Sequence, residues 1–553
     1  MAHDMLQETL VDARAKVSYR LRYRDADGCE QLVRVSSEGI ARPAEGAAEL
    51  GLMTVRGAEA RREARRVRVC PTAPVTIVSL EADLDVDLQG ADAIFLSGYN
   101  SWTDSVERPV KARMRGLARV PRRVVDKWVL DGSGDYRFVP EDERPGYQHG
   151  FGYGYLRYGG DVLLVGSLDE TNGFTTIFEE LEEGRLRLDK EVPLRELKAG
   201  EQVELMSFAL VEAPLEAAVE RWLVLAGIEA RPAAPLVGFS SWYRYYQDIT
   251  QDKLAGDLEA LKALLSGRDL GPCQPIFQID DGYAHIGDWT HPYEDRFPEG
   301  MGTFARRIAD AGFIPGLWMA PLVCETDSRL YAEHPDWLLR DEEGAFVRAG
   351  SNWSGYYPLD TLNDEVRAYV KLALSVATRS WGFKMLKLDF LFAGCMVPHG
   401  GLNRGQLMAD ALTLLREAVP EGVSFDLCGV PLAAALGRTE YCRIGCDVGL
   451  DWDDVPYMRM LHRERVSTKR SLANTRGRAH LDGRAFRNDP DVFFLRHDVK
   501  LNDRQRRDLI GADAALGGMF LTSDDVGAWT DAQKLSFDRA LAVFVDKERA
   551  RLG

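Results

Sequence analysis

After Pro235 the sequence alternates short apolar runs with longer amphipathic segments, and this alternation restricts the fold more than any other feature. The pattern predicts βα units, whose strands pair in a parallel sheet. Eight runs qualify as strands, the seventh of them weakly, and they begin near Val237, Pro275, Phe313, Met385, Val423, Tyr441, Ala485 and Gly518. Eight units in about 310 residues are typical of a (β/α)8 barrel. A doubly wound open sheet is the alternative, but no run carries the glycine spacing of a dinucleotide-binding fingerprint.

The earlier part of the chain follows a different pattern. Over about its first 210 residues, short runs that alternate apolar and polar positions predict antiparallel strands. A helical stretch over 215–230 then leads into the proline-rich segment RPAAP, after which the βα pattern begins. We therefore expect two domains, an N-terminal antiparallel β-sandwich over residues 1–225 and a (β/α)8 barrel over residues 226–553.

The net charge of −17 argues against binding to nucleic acid or to an anionic membrane surface, because no run of basic residues opposes it. The first twenty residues carry charges where a secretory signal needs an apolar stretch, and no later run approaches the length of a membrane span. A cytoplasmic protein is therefore expected. The eight cysteines are scattered and are expected to be reduced thiols. Cys442 and Cys446 could form half of a zinc site, but no second Cys/His pair lies near them in the sequence.

Two aspartates at the ends of predicted strands are the strongest indication of chemistry. Asp389 lies in KMLKLDFLFAG and Asp447 in CRIGCD. Other polar or aromatic residues also end these runs: Trp242, Asp280, Asp281, Trp318, Lys387, Cys428, Arg443, Asp524 and Asp525. In a barrel these positions meet at one mouth, where the reacting groups of barrel enzymes lie. Carboxylates and tryptophans together indicate a sugar site, because aromatic faces pack on a sugar ring and carboxylates accept its hydroxyls.

Cleavage of a glycosidic bond usually needs one ionised and one protonated carboxyl group. Asp389 suits the nucleophile, since Lys387 and Arg443 would favour its charged form. Asp447 suits the acid/base, with Asp451 as its rival for that role. A separation of about 5–5.5 Å between the two carboxyl groups would predict retention of configuration, and we expect this shorter distance.

Seven sequence strings resemble the α-galactosidases of glycoside hydrolase family 36, in particular their compact bacterial type: SSWYRYY, FQIDDGYAHIGDW, GFIPGLWMAP, HPDW, KLDFLFAG, RIGCD and NDPD. The resemblance runs in order from about Trp102 to about Asp525. It implies a retaining hydrolase that releases terminal α-linked galactose from raffinose-type oligosaccharides, with a barrel behind an N-terminal β-supersandwich. We expect no cofactor, and no metal because no strand end supplies paired histidines.

The resemblance also assigns roles motif by motif. Asp389 in KLDF is similar to the family's nucleophile, and Asp447 in RIGCD is similar to its acid/base. The substrate-binding residues that it implies are Trp102, Asp280, Asp281, Trp318, Lys387, Cys428 and Arg443. The paired aspartates would accept hydroxyls of galactose, including the axial one. Trp102 would close the site from the N-terminal domain.

The sequence departs from the family pattern in two places. Arg244 stands where a histidine is common, and the chain ends after the last barrel helix, where family members usually add a C-terminal β-domain. We expect that domain to be absent, and self-association stays open. The alternative enzymes are an α-galactosyl transferase and an α-N-acetylgalactosaminidase. A carbohydrate-binding protein without turnover and a metal-dependent barrel hydrolase are the alternatives from other classes.

Overall fold

The computed structural model describes residues 15–36, 50–54, 64–453 and 462–552. Its first part consists mainly of two antiparallel sheets. Their strands in chain order are β1 Ala15–Arg24, β2 Glu30–Ser36, β3 Leu50–Thr54, β4 Ala64–Pro71, β5 Val75–Val86, β6 Ala93–Leu96, β7 Glu107–Arg108, β8 Tyr147–Phe151, β9 Tyr153–Tyr158, β10 Asp161–Ser167, β11 Thr175–Glu180, β12 Arg185–Lys190, β13 Glu196–Leu197 and β14 Val203–Pro214. The outer sheet has the order β2-β1-β5-β12-β11-β8, with β13 on β5, and the inner sheet has the order β3-β4-β14-β10-β9-β6-β7.

Strand β10 of the inner sheet is buried on both faces, which explains its continuously apolar sequence. Leu163 and Val165 belong to a core shared with the outer sheet. Val162 and Leu164, which point the opposite way, belong to the large core that includes the barrel. Because successive side chains of a strand alternate between faces, an apolar run contributes to both cores. The inner sheet thus lies between the outer sheet and the barrel.

Gly152 lies where the chain passes from the outer sheet to the inner one. It separates β8 from β9, which follow each other in the chain but lie in different sheets. Gly152 has φ +73°, a backbone conformation that favours glycine. An added Cβ would also lie 2.5 Å from the Cβ of Ala433. Both the positive φ angle and the close contact with Ala433 therefore require glycine where the chain passes between the two sheets.

The second part of the chain forms a TIM-barrel-like parallel sheet. Its strands are β15 Leu236–Ser240, β16 Gln274–Ile279, β17 Ile314–Met319, β20 Met385–Leu388, β21 Ser424–Leu427, β22 Tyr441–Arg443, β23 Arg487–Asp489, β24 Val492–Phe493 and β25 Met519–Thr522, while β18 Val323–Glu325 and β19 Tyr356–Pro358 form a separate antiparallel pair. Each of the eight predicted strand positions contains a strand. All neighbouring strands of the large sheet pair in parallel.

The weak seventh strand is interrupted. Its two halves, β23 and β24, lie at opposite ends of the sheet order β23-β22-β21-β20-β17-β16-β15-β25-β24. Pro490 and Asp491 separate them, and Asp491 has φ +81°, which a non-glycine residue adopts at a steric cost. The N–H of Gly518 donates to the carbonyl of Asn488 at 2.7 Å. This bond and the covalent connection bring the two ends of the sheet together.

The helices that the structure describes in the first part are α1 Arg122–Trp128 and α2 Leu215–Ala226, and those around the barrel are α3 Trp242–Tyr245, α4 Gln251–Leu265, α5 Met301–Asp310, α6 Arg329–Glu333, α7 Asp364–Ser375, α8 Arg404–Glu417, α9 Leu432–Ala435, α10 Thr468–Gly477, α11 Asp503–Leu516 and α12 Asp531–Leu552. Several begin at polar caps. Asn403 and Gln406 form a reciprocal capping box on α8, and Asn502 and Gln505 do so on α11. Within the described ranges, no helix has the length and apolarity needed to cross a membrane.

One loop of the first part is fixed to the barrel. Arg478 is fully buried, and its guanidinium donates to the carbonyls of Ser101 at 2.7 Å and Asn100 at 3.2 Å. From the barrel side, the N–H of Gly429 donates to Oγ of Ser101 at 2.8 Å. Because these bonds involve backbone groups and a buried charge, they hold residues 98–105 firmly against the end of β21.

Candidate active site

The two aspartates follow strands at the same edge of the barrel-like sheet. Asp389 comes directly after β20, and Asp447 comes four residues after β22. One strand, β21, separates β20 from β22. Because these strands are parallel, their C-terminal ends meet at one mouth. Electrostatic repulsion from Asp447 also contributes to raising the pKa of Asp389.

Asp389 is held by donors on both carboxylate oxygens. Nε1 of Trp318 donates to Oδ2 at 3.0 Å, and the N–H of Phe390 donates to Oδ1 at 2.8 Å. The residue is only 8% exposed. Burial raises the pKa of Asp389, against the opposing effects of the Lys387 charge and the Trp318 donor. The predicted wall residue Trp318 therefore contacts the predicted nucleophile directly.

Lys387 forms its ion pair with Asp280 rather than with Asp389. Its Nζ lies 3.0 Å from Oδ2 of Asp280, and both side chains are buried. Burial lowers the pKa of Lys387, but the neighbouring acidic groups, chiefly Asp280 with Cys428 and Asp389, together outweigh that effect and raise it overall. Gln278 donates to the same oxygen at 2.9 Å, and the N–H of Asp281 donates to Oδ1 at 3.0 Å. Asp280 thus orients Lys387 and is itself fixed from several sides.

Asp281 has neutral partners. Nε1 of Trp353 donates to its Oδ2 at 2.8 Å, and Nε2 of Gln247 donates to the same oxygen at 3.0 Å. Burial raises the pKa of Asp281 to about 6, with a further contribution from the charge of Asp280. Trp353 and Gln247 were not among the predicted site residues, because they lie on loops outside the strand-end motifs. The spacing of residues along the barrel carried no signal for either of them.

Arg443 joins three carboxylates. Its guanidinium lies 2.8 Å from Asp447, 2.9 Å from Asp489 and 3.0 Å from Asp491. The arginine is 2% exposed, whereas the side chain of Asp447 is 36% exposed. We expected Arg443 to stabilise Asp389, but its three guanidinium nitrogens each donate to one of these other carboxylates, on the acid/base candidate and at the interrupted seventh strand. It therefore holds Asp447 at the rim of the mouth.

Asp491 supports this arrangement from behind. Its Oδ2 accepts hydrogen bonds from the hydroxyl of Tyr243 at 2.6 Å and from the N–H of Val448 at 2.9 Å. Burial raises the pKa of Asp491 to about 7, and the charge of Arg443 opposes that rise. Asp491 was not predicted as a site residue. The NDPD string contained it, but only the break in the seventh strand turns its carboxylate toward Arg443.

Trp102 reaches the barrel from the loop over residues 98–105. Its Nε1 donates to Sγ of Cys428 at 3.1 Å, and its ring lies 5.2 Å from that of Phe390 in an edge-to-face contact. The Cys428 side chain also hydrogen-bonds to Asp389. Burial raises the pKa of the Cys428 thiol, so it stays neutral. These contacts bring the first part of the chain to the same cluster as the predicted nucleophile.

Two further residues have partners that bear on the predictions. Arg244, which stands in place of the common histidine, donates to Oδ2 of Asp525 at 2.8 Å. The backbone of Asp451, the rival acid/base, forms an isolated parallel β-bridge with the backbone of Lys500. The Asp451 carbonyl also accepts a hydrogen bond from Oγ1 of Thr468 at 2.6 Å. The structure thus joins Trp102 to Cys428, Trp318 to Asp389, Lys387 to Asp280 and Arg443 to Asp447. The catalytic and binding roles of these residues stay predictions.

The chain matches the family model described as Melibiase over residues 239–392, a segment that contains Asp280, Asp281 and Asp389. Among curated proteins it is 33% identical over 108 residues to the α-galactosidase Mel36A of Lactobacillus acidophilus. That alignment covers 18% of this chain and 14% of the relative, so the matched segment is a small part of the relative's length.

Comparison with solved structures extends over nearly the whole chain. The α-galactosidase TtGalA of Thermus thermophilus, solved with p-nitrophenyl α-D-galactopyranoside, is 28% identical with a TM-score of 0.69. The alignment covers 95% of this chain and 94% of that one. The GH36 α-galactosidase AgaA of Geobacillus stearothermophilus shares the fold at 14% identity and a TM-score of 0.60, over 96% of this chain and 76% of that one. These similarities confirm the predicted resemblance of the chain to the α-galactosidases of glycoside hydrolase family 36.

Proposed function

We propose that the chain is an α-galactosidase that hydrolyses terminal α-galactosides in two displacement steps. The observation that carries the proposal is the pairing of two unlike carboxylates at one mouth. Asp389 is buried and held by two neutral donors, whereas Asp447 is partly exposed and held by Arg443. Retaining glycosidases need one carboxylate that attacks carbon and one that exchanges protons with the leaving group and then with water.

In the first step a carboxylate oxygen of Asp389 bonds to the anomeric carbon as the bond to the leaving oxygen breaks. Asp447 transfers its proton to that oxygen. In the second step water attacks the anomeric carbon, Asp447 takes the proton from water, and the bond to Asp389 breaks. Trp318 and the Phe390 N–H hold the attacking group in one orientation, which lowers the entropic cost of the first step.

The remaining predicted residues would bind the galactose unit. Asp281 and the Lys387–Asp280 pair present charged groups to its hydroxyls, and Trp102 with Cys428 forms the wall on the side of the first domain. Solved relatives support this substrate class, since TtGalA is known in complex with p-nitrophenyl α-D-galactopyranoside and with stachyose. We accordingly propose raffinose-type oligosaccharides as substrates, with no nucleic acid or membrane partner.

The proposal includes the finer structural expectations. The two antiparallel sheets with their shared core would form an N-terminal β-supersandwich domain over residues 1–225, ending within α2. Residues 226–553 would form the closed catalytic (β/α)8 barrel. We also propose a cytoplasmic location and a carboxylate separation of about 5–5.5 Å, which corresponds to retention. Light scattering would measure whether the protein associates with itself.

A panel of p-nitrophenyl glycosides tests the proposal directly. We expect hydrolysis of the α-galactoside and little or no hydrolysis of the β-galactoside, the α-glucoside and the α-N-acetylgalactosaminide. Proton NMR at early times should show α-galactose as the first product, because two inversions at the anomeric carbon restore its configuration. Release of β-galactose would contradict the retaining mechanism. Binding of galactose without any turnover would contradict the enzyme itself.

A further inference from the structure

Tyr246 lies at the rim of the mouth in an unusual conformation. It caps the C-terminal end of α3 with φ 51° and ψ −131°, in the left-handed region that favours glycine. Its ring is nevertheless large, and the residue is 43% exposed. A non-glycine residue with such a backbone usually persists only where the surroundings enforce it. The residues around Tyr246 therefore bear on the function of its exposed ring.

On one side, Tyr246 is connected to the acid/base candidate. Its ring centroid lies 5.1 Å from Trp242 and 6.3 Å from Tyr243, both edge-to-face. The Tyr243 hydroxyl binds Asp491, and Arg443 bridges Asp491 to Asp447. Burial raises the pKa of the Tyr246 phenol; the Arg496 charge opposes that rise, and the charge of Asp447 adds to it. The phenol thus lies within electrostatic reach of Asp447.

On the other side, the next residue is fixed to the galactose-binding carboxylates. The carbonyl of Gln247 accepts from Arg296 at 2.6 Å, and the Gln247 amide donates to Asp281 at 3.0 Å. Gly282, which follows Asp281, packs so closely that an added Cβ would lie 2.6 Å from the Gln247 carbonyl oxygen. The residue after Tyr246 is therefore held against Asp281, while the Tyr246 ring packs on Tyr243, which connects to Asp447 through Asp491 and Arg443.

We propose that Tyr246 is the platform for the leaving group, so that the sugar or aryl ring next to the scissile bond stacks on its exposed face. This inference rests on the proposed function, because it uses Asp447 as the acid. An acid must lie beside the leaving oxygen, so the leaving group extends over the part of the rim nearest Asp447. An exposed tyrosine offers the apolar face that pyranose and aryl rings pack against, and its hydroxyl faces water.

The test compares leaving groups that contain a ring with one that does not. For Tyr246→Ala, kcat/KM should fall about tenfold with raffinose and with p-nitrophenyl α-galactoside, because a ring contact of this kind is lost. With α-galactosyl fluoride it should stay unchanged, since fluoride cannot reach the platform. Tyr246→Phe keeps the ring and should match the wild type within about twofold on all three substrates. Val543→Ala, which shortens a 49% exposed side chain on α12, serves as the surface control.

The outcomes separate the two claims. An equal loss on all three substrates would mean that Tyr246 supports the acid or the fold, and it would overturn the platform. No loss on the two ring-containing substrates would overturn it as well. If the wild-type protein fails to cleave α-galactosyl fluoride, the proposed function itself is wrong. If the wild type cleaves the fluoride but Tyr246→Ala has the same kcat/KM as the wild type on all three substrates, the proposed function stands and this inference alone fails.

Discussion

The two sides of the mouth contain the same residue type in opposite settings. On the buried side, after β17 and β20, Asp389 is held by an indole N–H and a backbone N–H, and Lys387 is paired with Asp280. On the rim side, after β22 and β23, one guanidinium is shared by three carboxylates. Under the proposed roles, these surroundings rather than residue identity would divide the catalytic work between the two aspartates.

The settings also differ in how charge is balanced. The buried side orients Asp389 with neutral donors, so the proposed nucleophile is not neutralised by a direct ion pair. The rim side has more carboxylates than cations, and Asp491 there has its pKa raised to about 7 by burial, although Arg443 opposes that rise. The charges of Asp447 and Asp489 add to that rise, so the excess of carboxylates on the rim side favours the protonated form of Asp491.

The largest expected effect breaks the buried side. Asp389→Ala removes the attacking oxygen, so the rate with p-nitrophenyl α-galactoside should fall by about 10⁵-fold. Added azide should restore part of the rate and yield a galactosyl azide, since a small anion can occupy the vacated space. The thermal unfolding midpoint serves as the control for folding. Near wild-type activity in this variant would rule out Asp389 as the nucleophile.

The next effect breaks the rim side and depends on the leaving group. Asp447→Ala removes the proton donor, so kcat/KM with raffinose should fall by about 10³-fold. With α-galactosyl fluoride, which needs little protonation, the first step should change by less than about tenfold. Single-turnover kinetics measures that step. Equal losses on both substrates would contradict the acid/base role of Asp447. If Asp451→Ala shows the substrate-dependent loss instead, Asp451 is the acid/base.

A third prediction compares the two sides of the mouth through the pH dependence of kcat/KM. Trp318→Phe removes the N–H that favours the charged form of Asp389, whose pKa burial already raises. The acid limb of the kcat/KM profile should therefore move to higher pH, because the nucleophile must be ionised. The rate at the optimum should fall about tenfold. Tyr243→Phe, which removes a donor from the rim side, should leave that limb in place. An acid limb that does not move in Trp318→Phe would contradict this account.

The smallest expected effect concerns stability. The pKa of Asp491 is raised from 3.8 to about 7, so the folded state keeps a proton that the unfolded state loses between these values. The free energy of unfolding should therefore decrease as pH rises through that window. Asp491→Asn should make this decrease shallower by up to about 1 kcal/mol per pH unit. Urea unfolding at pH 5, 6 and 7 measures the slopes, with the exposed Asp498→Asn as the control. Identical slopes in all three proteins would contradict the shift.

Strand positions in the second part were predictable because a strand that is buried on both faces has a short, continuous run of apolar residues in the sequence. Each predicted run of the second part contains a strand, from Leu236–Ser240 to Met519–Thr522. The polar residues that end these runs were also predictable, because they directly follow an apolar run and a strand's C-terminal end lies at the mouth. The break in the seventh strand was not predictable, because Pro490 and Asp491 divide it into runs too short for periodicity to detect.

The partners of the site residues could not be predicted. Gln247 and Trp353 reach Asp281 from loops 34 and 72 residues away in the chain. Arg443 lies four residues from Asp447, yet its other two carboxylates come from 46 and 48 residues further on. Nothing local distinguishes such residues from ordinary loop positions. Their role depends on which side chains the folded barrel-like sheet brings within hydrogen-bond distance.

The sequence by itself determined the order of strands, the change from antiparallel to parallel pattern near Pro235, and the aspartates that end the buried runs. These features follow from hydrophobic periodicity and from motifs a few residues long, which need no knowledge of distant contacts. Only the tertiary structure decided that Asp389 would be buried with Trp318 and that Asp447 would be held by Arg443 at the rim. The pKa of a carboxyl group depends on desolvation and on nearby charges, and both are set by packing between segments far apart in the chain.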